Sequence, residues 1–402
     1  ISLGLVGSEM CIRDRCLFFA MWFVSGVVMM YVGYPKLTPQ ERLTHLAPLD
    51  GAAIAVTPAQ ALAAAGADVR NASGLSLAAT RGGVPVYAVA GGMRDAPRIV
   101  DAATGSLLPP ADAEVALATA RAWFGGQYAA HYHGTVVEDV YTHSGALKPH
   151  RPLHRVDMDD PQQTRLYISS ATGAVVLDAT FNERAWNYAG AWIHWLYPFR
   201  GNALDPWWHD IVVWLSVAGV AVALTGTVVG ILRWRFSRPY ASGSRSPYRE
   251  SMMRWHHLSG LLFALITITW IFSGLMSMNP WKLFTSTAAP LDRAAYAGRA
   301  SDAPLASPEA LIAALPAAPR ELSWTRAAGQ DVVLARGPAG APQVLSATLA
   351  TPYAFTQADL RQAAARLLPG AALRDVQVLN AYDLYYYCLL YTSDAADDTP
   401  CV

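Results

Sequence analysis

Three stretches of the chain carry no charged side chain, and each is close to the roughly 20 residues that an α-helix needs to cross a bilayer. A buried core helix is the alternative interpretation of such a run. Three separate runs of this length favour membrane-spanning helices. The stretches are Cys16–Tyr34, Ile211–Leu232 and Leu258–Trp281.

The segments between these runs show a different pattern, in which short strand-like stretches alternate with turns and helices. Thr57-Pro58 predicts the start of a helix over residues 59–65, because threonine caps an unpaired amide and proline suits the first turn. Short strands with one helix per module predict antiparallel sheets, each covered on one face by a helix. The further predicted elements are strands at Val84–Ala90 and Arg98–Asp101, a helix at Asp112–Trp123, and strands at Val136–Tyr141, Arg165–Ser169 and Val175–Leu177.

The chain also contains an internal repeat, which indicates two copies of one structural plan. The separation between matching segments falls from 248 to 244 positions along the chain, and loop insertions produce such a drift. The later part of the chain repeats elements of the first module, residues 57–123, at Ser307-Pro308, Val332–Ala335 and Ala358–Leu368. The matching segments are Trp22–Gly26 with Trp270–Gly274 (248 positions apart), Ala96–Val100 with Ala341–Leu345 (245) and Asp139–Tyr141 with Asp383–Tyr385 (244).

Composition and charge support a membrane protein. Charged residues make up 15% of the chain, against roughly 25% in soluble domains. The positive-inside rule predicts that the loop 234–254 is cytoplasmic, with the long segments 35–185 and 282–387 in the periplasm of a bacterial inner membrane. The zero net charge gives no indication of nucleic-acid binding. The prediction for the loop rests on residues 233–254, which contain several arginines and a single acidic residue, Glu250. The arginines are Arg233, Arg235, Arg238, Arg245, Arg249 and Arg254.

The two ends of the chain differ from the rest. Residues 1–15 and 388–402 resemble translated sequencing-adaptor strings, and we expect both to be non-native. They hold Cys11, Cys388 and Cys401, which leaves Cys16 and no disulfide framework. The first segment also lacks the cleavage pattern of a signal peptide.

Two groups of residues resemble a known family. Arg254–Gly260 followed by Trp270–Pro280 is similar to the third helix of the PepSY-associated transmembrane proteins, and Tyr167–Gly173 and Ala103–Gly105 are similar to turns of PepSY modules. The resemblance covers Leu17–Tyr387. It implies four transmembrane helices with extracytoplasmic PepSY-like domains. Some members resemble inner-membrane ferrisiderophore reductases that carry b-type haems on helix histidines.

Together with the repeat, this resemblance predicts an α-helical membrane bundle with two extracytoplasmic α+β PepSY-like regions and an internal duplication. Three of the four helices are expected in the chain, and the fourth is expected to be missing, because the second copy stops soon after Asp383–Tyr385. The expected divisions are a truncated first helix at 16–34, a PepSY-like region at 35–185, an approach helix and second span at 186–233, the loop 234–254, a third span at 255–281 and a second PepSY-like region at 282–387.

Four histidines lie near the predicted membrane faces. His256 and His257 stand at the cytoplasmic start of the third span, His194 on the approach to the second span, and His209 at its outer mouth. Histidine at membrane depth is costly and commonly serves a ligand, proton or redox site. The alternative is interfacial histidines within an aromatic belt. The tryptophans of that belt are Trp192, Trp195, Trp207 and Trp208.

The resemblance implies haem b as the cofactor, and we expect two sites in the complete protein. His256 and His194 are the expected iron ligands, with His257 and His209 as further cofactor-binding candidates, because neutral imidazole is a common axial ligand. A six-coordinate site needs a second histidine from a facing helix. The repeat places the partner of His256 at Ser8, inside the non-native end, and the partner of His194 in the missing fourth helix.

Other features have two interpretations each. The pairs Gly226 with Gly230, Ser25 with Gly26 and Ser273 with Gly274 allow either close approach of a porphyrin or tight helix packing. His131 and His133 on one strand face would be a metal contact or ordinary surface histidines. A basic group could bind an anionic siderophore. This group contains Lys148, Arg151, His154 and Arg155.

The sequence thus favours a membrane haem protein that passes electrons from a cytoplasmic donor to a periplasmic ferric siderophore or a similar acceptor, which would make it a ferric siderophore reductase. The alternative is a non-catalytic PepSY membrane anchor that regulates a protease or an iron-uptake transporter. Histidines at both membrane faces favour the first function. The PepSY resemblance alone favours the second.

Overall fold

The computed structural model describes residues 17, 19–68, 74–91, 96–285 and 289–377. The two ends expected to be non-native, together with Asp383–Tyr385 of the repeat, lie outside these residues. The chain divides into two compact units. The sheet unit contains the residues up to Ala191 and those from Ala289 onward, and the helical unit is Trp192–Ala288.

The sheet unit takes one set of elements from each side of the helical unit. The first set is α1 (Phe19–Tyr31), α2 (Pro39–His45), α3 (Pro58–Ala64), β1 (Leu75–Arg81), β2 (Val84–Val89), β3 (Arg98–Asp101), α4 (Ala113–Trp123), β4 (Ala130–Val136), β5 (Leu153–Met158), β6 (Arg165–Ser169), β7 (Val175–Ala179) and α5 (Phe181–Asn187). The helical unit contains α6 (Trp208–Arg233), α7 (Ser251–Leu262) and α8 (Ala264–Ser277). The second set is α9 (Arg293–Ala297), α10 (Pro308–Ala313), β8 (Glu321–Ala327), β9 (Gln330–Arg336), β10 (Gln343–Ser346) and α11 (Gln357–Ala364).

Side-chain caps fix where several helices begin. Thr57 Oγ1 accepts a hydrogen bond from Gln60 N at 3.3 Å, and Ser307 Oγ accepts one from Ala310 N at 3.2 Å. Asp112 caps α4 in the same way. Each cap satisfies an amide that has no partner inside the helix. The predicted starts of α3, α4 and α10 are therefore confirmed.

Most predicted strands are confirmed, but the strand expected at Val136–Tyr141 is wrong. The strand β4 ends at Val136, and a turn follows in which Asp139 Oδ1 accepts hydrogen bonds from Tyr141 N and Thr142 Oγ1, both at 3.0 Å. Aspartate side chains favour such local turns over a strand. The three valines and the tyrosine of this segment suggested a strand on composition alone.

The first sheet has six strands and joins the two copies of the repeat. Its antiparallel order is β10-β9-β8-β1-β2-β3, so that β1 and β8 pair at its centre. Leu77 is paired with Leu322, which lies 245 positions later, the same offset as in the sequence repeat. Ser76 pairs with Ser323 and Ala78 with Glu321. The register is therefore symmetric about the leucine pair, as a local twofold axis requires.

A single apolar core serves both halves of this sheet. Leu62 of α3 and Leu311 of α10 are fully buried in it, and the rings of Tyr87 and Trp324 lie 6.1 Å apart. The Tyr87 hydroxyl donates a 2.7 Å hydrogen bond to Val56 O, which satisfies its polar end. Burial of each large apolar side chain stabilises the fold by roughly 1.5–3 kcal/mol. The shared core therefore holds the two copies in one unit.

A buried ion-pair group also connects the copies. The carboxylate of Glu321 in β8 contacts Arg42 of α2 at 2.5 Å and Arg336 of β9 at 3.1 Å. Glu321 is 8% exposed. A buried carboxylate requires such partners, because an unpaired buried charge costs several kcal/mol. The two guanidiniums thus allow Glu321 to be buried where the copies meet.

The second sheet has four antiparallel strands in the order β4-β5-β6-β7. Helix α4 covers one face, with Ala116 and Ala120 packed against Val156, Leu166 and Ile168. The predicted sheet with a single helical cover is therefore confirmed for this part of the chain. After β7, α5 continues into a π-helical turn that ends at the boundary with the helical unit.

In the helical unit, α8 packs along α6, and α7 contacts α6 near the end of that helix. Helices α7 and α8 are bent by 67° where they meet at Phe263. Ser259 and Gly260 precede the bend. Glycine has low helix propensity, and the Ser259 hydroxyl donates to Trp255 O at 2.7 Å, a type of bond that often bends helices.

The predicted α-helical membrane bundle is wrong. The described chain is a mixed α/β protein with two antiparallel sheets, and in it one helical span, Asp205–Arg233, is long and apolar enough to cross a membrane. At 1.5 Å per residue, the described part of α1 and the whole of α8 are each about 20 Å long, less than the roughly 30 Å of the hydrocarbon core. The regions 35–185 and 282–387 are not separate either, since β1 and β8 share a sheet. Charge-free length alone did not reveal the bend at Phe263.

Candidate functional site

His257 is the most buried of the four candidate histidines, with 6% of its surface exposed. Its Nε2 lies 2.8 Å from Gly230 O of α6, and its Nδ1 lies 2.8 Å from Ser246 Oγ. A carbonyl oxygen can only accept, so Nε2 carries the proton and the serine hydroxyl donates to Nδ1. Both nitrogens of a neutral imidazole are then satisfied.

The surroundings of His257 indicate a structural role at the end of α6. Gly230 O also accepts a 3.0 Å hydrogen bond from Trp234 N, and the rings of Trp234 and Tyr248 contact the imidazole edge-on at 5.8 and 5.4 Å. Binding of iron by His257 would break one of its two hydrogen bonds. The contacts therefore indicate that His257 joins α6, α7 and the intervening loop.

His256 has a different environment, although it is the next residue on α7. Its side chain is exposed, because adjacent residues of a helix point about 100° apart. Among the described residues its ring has no hydrogen-bond partner. Of the two histidines at this end of α6, His256 is the one whose nitrogens are available.

At the other end of α6, His209 joins two helix ends. Its Nε2 lies 3.1 Å from Met278 O, just beyond α8, and its Nδ1 lies 3.5 Å from Asp210 Oδ1. His194 is half-buried in a short helical segment before α6. Along α6, the rise from His209 to Gly230 is about 30 Å. His209 therefore cannot share an iron with His256 or His257.

Aromatic side chains cluster at the same end of α6 as His209. Trp208 Nε1 donates a 2.7 Å hydrogen bond to Trp195 O, and the Arg200 guanidinium lies 4.8 Å from the Trp208 ring and 5.5 Å from the Tyr197 ring. Trp214 of α6 contacts Trp281 beyond α8 at 6.3 Å. Such rings are typical of the boundary between lipid and water.

His209 cannot form a two-histidine haem site with His256 or His257. His257 is hydrogen-bonded on both nitrogens, and His256 and His209 lie at opposite ends of α6. The expected partner of His256, at Ser8, lies outside the residues that the structure describes. The two haem sites and their ligand assignments stay predictions.

The small residues singled out in the sequence have different surroundings from one another. A Cβ on Gly230 would lie 2.9 Å from Leu261 Cδ2, whereas one on Gly226 would meet no atom within 4 Å. Ser25 and Gly26 are buried, while Gly274 faces open space. At Gly230 the structure shows tight helix packing. At Gly226 and Gly274 neither a porphyrin nor a packed helix is indicated.

The histidines of β4 do not converge on one point. His131 Nε2 contacts Asp159 Oδ2 at 2.8 Å, and His133 Nε2 contacts Asp157 Oδ2 at 3.5 Å. Asp157 is also held by Arg165, with contacts of 2.7 and 2.9 Å. Within the described ranges no group of three or more His, Cys, Asp or Glu side chains is arranged to hold a metal ion. Surface ion pairs are the better description.

The expected basic patch is used largely inside the fold. His154 is buried, and its nitrogens lie 2.9 Å from both Tyr132 Oη and Ala111 O. Arg151 contacts Glu138 at 2.9 Å and donates to a backbone carbonyl at 2.7 Å. Lys148 is exposed. The sequence spacing does not show that His154 of β5 is buried or that Arg151, just before β5, pairs with Glu138.

Two polar features of the sheet unit had no signal in the sequence. His143 is buried and contacts Glu138 at 2.5 Å, two residues after the stretch Val136–Tyr141 that was predicted to be a strand. Asp178 of β7 is half-buried, and burial raises its pKa to about 7, with smaller contributions from Glu41 and Glu183. Glu41 and Asp178 are far apart in sequence. Their proximity depends on the packing of the tertiary structure.

No protein-family model, curated protein or solved structure matches this chain. The resemblance to PepSY-associated proteins, drawn from Arg254–Pro280 and Tyr167–Gly173, therefore stays a prediction. The contacts around α6, α7 and the sheet unit are the basis for the function proposed below.

Proposed function

We propose that this chain is a membrane-anchored binding protein of the bacterial inner membrane. The observation that carries the proposal is α6, a continuous apolar helix of 26 residues with large apolar side chains exposed along it. In water such a surface is unfavourable, and at membrane depth it is expected. Its exposed apolar residues include Trp214, Leu215, Leu224, Val228, Val229, Ile231 and Leu232.

The two ends of α6 support a defined orientation. Aromatic rings lie around its first residues, and Arg233 and the following arginine-rich loop lie at its end. By the positive-inside rule, the loop is cytoplasmic and the beginning of α6 faces the periplasm. The residues before α6 then belong on the periplasmic side.

The sheet unit adds a requirement for the path of the chain. Since β1 precedes α6, β8 follows α8, and the two strands pair, both sides of the helical unit must emerge at the same membrane face. A chain that crosses once through α6 must therefore cross back. We assign the return to α7 and α8 as one broken span. The lengths of α7 and α8 are about 18 and 21 Å, with a 67° bend between them. With α8 along the membrane normal, the two helices together cover roughly 28 Å in that direction.

The periplasmic role proposed for the sheet unit is binding. Two copies of one module form a continuous sheet with a shared core, which gives a rigid platform on the outer side of the anchor. The PepSY resemblance supports a partner such as a protease or an iron-uptake transporter, whose activity the protein would regulate. The anchor and the platform together suit this role without a catalytic step.

Membrane extraction tests the anchor directly. We expect the chain to remain in the membrane pellet at alkaline pH, and the pair of changes Leu224→Arg and Val228→Arg to release much of it. A charged residue at the helix centre costs about 2.5–3.5 kcal/mol on insertion scales. The matched control changes two exposed leucines of the sheet unit, Leu107→Arg and Leu349→Arg, and should stay in the pellet. Release of the unmodified chain would contradict the anchor.

Haem-based electron transfer is the second candidate function. One observation favours it: His256 is exposed beside the arginine-rich loop. Its imidazole would be available there to bind a haem iron near the cytoplasmic face. The chain purified from membranes should then show haem bands that shift on dithionite addition, and His256→Ala should remove them. Folded protein without haem bands would contradict this candidate and leave the binding function unaffected.

A further inference from the structure

The arginine-rich loop after α6 is folded back on itself. Arg235 N donates to Arg245 O at 3.0 Å, and Tyr240 N donates to Ser244 O at 2.8 Å, so the two arms of the loop run side by side. The Tyr240 hydroxyl donates to Arg233 O at 2.9 Å, which ties the turn to the end of α6. A loop held in this way presents its side chains in a fixed arrangement.

His257 fixes the base of the loop. Its imidazole accepts from the Ser246 hydroxyl and donates to Gly230 O, so that a buried residue of the loop is connected to both α7 and α6. Ser246 is 3% exposed. The rings of Trp234 and Tyr248 pack on the imidazole from the two arms. The loop and the two helices therefore form one local structure.

The charges of this loop are exposed and not neutralised. Within the part of the chain that the structure describes, none of its arginines is within ion-pair distance of a carboxylate. Two contact tyrosines instead: the Arg235 guanidinium lies 4.2 Å from the Tyr240 ring, and Arg233 donates a 3.1 Å hydrogen bond to the Tyr248 hydroxyl. The exposed arginines are Arg233, Arg235, Arg238, Arg245, Arg249 and Arg254.

Helix α7 adds an exposed apolar stripe beside these charges. The stripe residues recur every three or four positions and so lie on one face of the helix. If α8 follows the membrane normal, the 67° bend turns α7 closer to the membrane plane than to the normal. Such a helix can place its apolar face against the acyl chains while the loop stays at headgroup level. The stripe contains Met252, Trp255, Leu258 and Leu262, all exposed.

We propose that the arginine loop and α7 form a binding surface for anionic phospholipid headgroups of the cytoplasmic leaflet. Guanidinium groups match phosphate oxygens with two parallel hydrogen bonds, and basic segments next to a spanning helix are attracted to anionic lipids. The fixed loop spreads the charges along the headgroup layer, and the α7 stripe sets its depth. This inference rests on the proposed insertion of α6 in the membrane.

Lipid selectivity in mixed micelles tests the proposal. The full chain in neutral detergent is supplied with equal amounts of phosphatidylglycerol and phosphatidylcholine, and the lipids retained after gel filtration are counted by mass spectrometry. We expect clear enrichment of phosphatidylglycerol. The combined change Arg238→Gln, Arg245→Gln and Arg249→Gln should reduce that enrichment by roughly tenfold or more. None of these three side chains takes part in the bonds that hold the loop.

Two controls keep the result interpretable. The changes Arg299→Gln and Arg374→Gln remove exposed arginines of the sheet unit and should leave the enrichment unchanged. The change Trp255→Ser should lower retention of both lipids alike, because it removes an apolar contact. Inorganic phosphate at matched concentration should not displace phosphatidylglycerol; displacement would indicate a soluble phosphate site and overturn the leaflet assignment.

The outcomes separate this inference from the proposed function. A chain that resists alkaline extraction but shows no phosphatidylglycerol enrichment overturns the lipid surface alone. A chain that is released by alkaline extraction contradicts the membrane anchor, whatever its lipid selectivity. Enrichment that is equal in the unmodified chain and the triple arginine variant also overturns the proposal.

Discussion

Leu77 and Leu322 face each other at the centre of the six-stranded sheet, and each is paired with its own equivalent in the sequence repeat. The pairing relates the two copies by a local twofold axis. It also requires that the residues before α6 and those after α8 reach the same sheet. One strand pair thus joins the two copies in the sheet unit.

The leucine pair predicts energetic coupling between the two copies. Both side chains are fully buried, so Leu77→Ala and Leu322→Ala should each lower the free energy of unfolding by about 2–4 kcal/mol. Because residues directly opposite each other in a sheet interact, the double variant should depart from additivity by about 0.5–1 kcal/mol. Urea unfolding followed by circular dichroism measures the cycle.

The control for this cycle pairs Leu77→Ala with Leu166→Ala. Leu166 is also fully buried but belongs to the core of the four-stranded sheet. The effects of these two changes should add within about 0.5 kcal/mol. Equal coupling in both cycles would show that the leucine pair has no special role.

Asp178 predicts a pH dependence of stability. Burial raises the pKa of its carboxyl from 3.8 to about 7 in the folded chain, so the folded state holds a proton that the unfolded state releases. Stability from this group is then full below pH 4 and is lost as the pH rises towards 7. Asp178→Asn should stabilise the chain at pH 8 by about 1–2 kcal/mol, a value reduced for partial solvent exposure.

Thermal unfolding at a series of pH values checks the Asp178 prediction. The difference between the variant and the unmodified chain should grow between pH 4 and pH 7 and then stay constant. The exposed Asp302→Asn serves as the matched charge control and should show no such growth. A variant that is equally stable to the unmodified chain at every pH would refute the raised pKa.

The two glycines of α6 predict opposite effects of the same substitution. Gly226→Ala meets no atom within 4 Å and should stabilise the helix by about 0.5–1 kcal/mol through higher helix propensity. Gly230→Ala places its Cβ 2.9 Å from Leu261 Cδ2 and 3.6 Å from the His257 ring, so it should offset or reverse that gain. Thermal unfolding in detergent compares the variants. Equal gains from both would contradict close packing at Gly230.

Sequence patterns were most informative where local chemistry decides structure. The caps at Thr57, Asp112 and Ser307 and the strand β6 were predictable, because each depends on residues close in sequence. The repeat indicated two copies, but not that β1 would pair with β8, since pairing between distant strands has no local signal.

The helical prediction failed for a physical reason that apolar length cannot show. Leu258–Trp281 is free of charge, yet the chain bends by 67° at Phe263 after the weak helix formers Ser259 and Gly260. At the candidate site, the positions of the histidines were predictable, but their bonding was not. The difference between His256, which is exposed, and His257, which is bonded on both nitrogens, depends on which face of α7 meets α6.

The proposed function predicts that the arginine loop and the sheet unit lie on opposite sides of a membrane. Single cysteines can test it in a background in which the four cysteines of the sequence are replaced by serine, with Ser242→Cys in the loop and Ala339→Cys in the sheet unit, both at exposed positions. In intact spheroplasts, a membrane-impermeant maleimide should label Cys at position 339 at once. It should label position 242 only after permeabilisation. Labelling of both positions in intact spheroplasts, or of neither, would contradict the account.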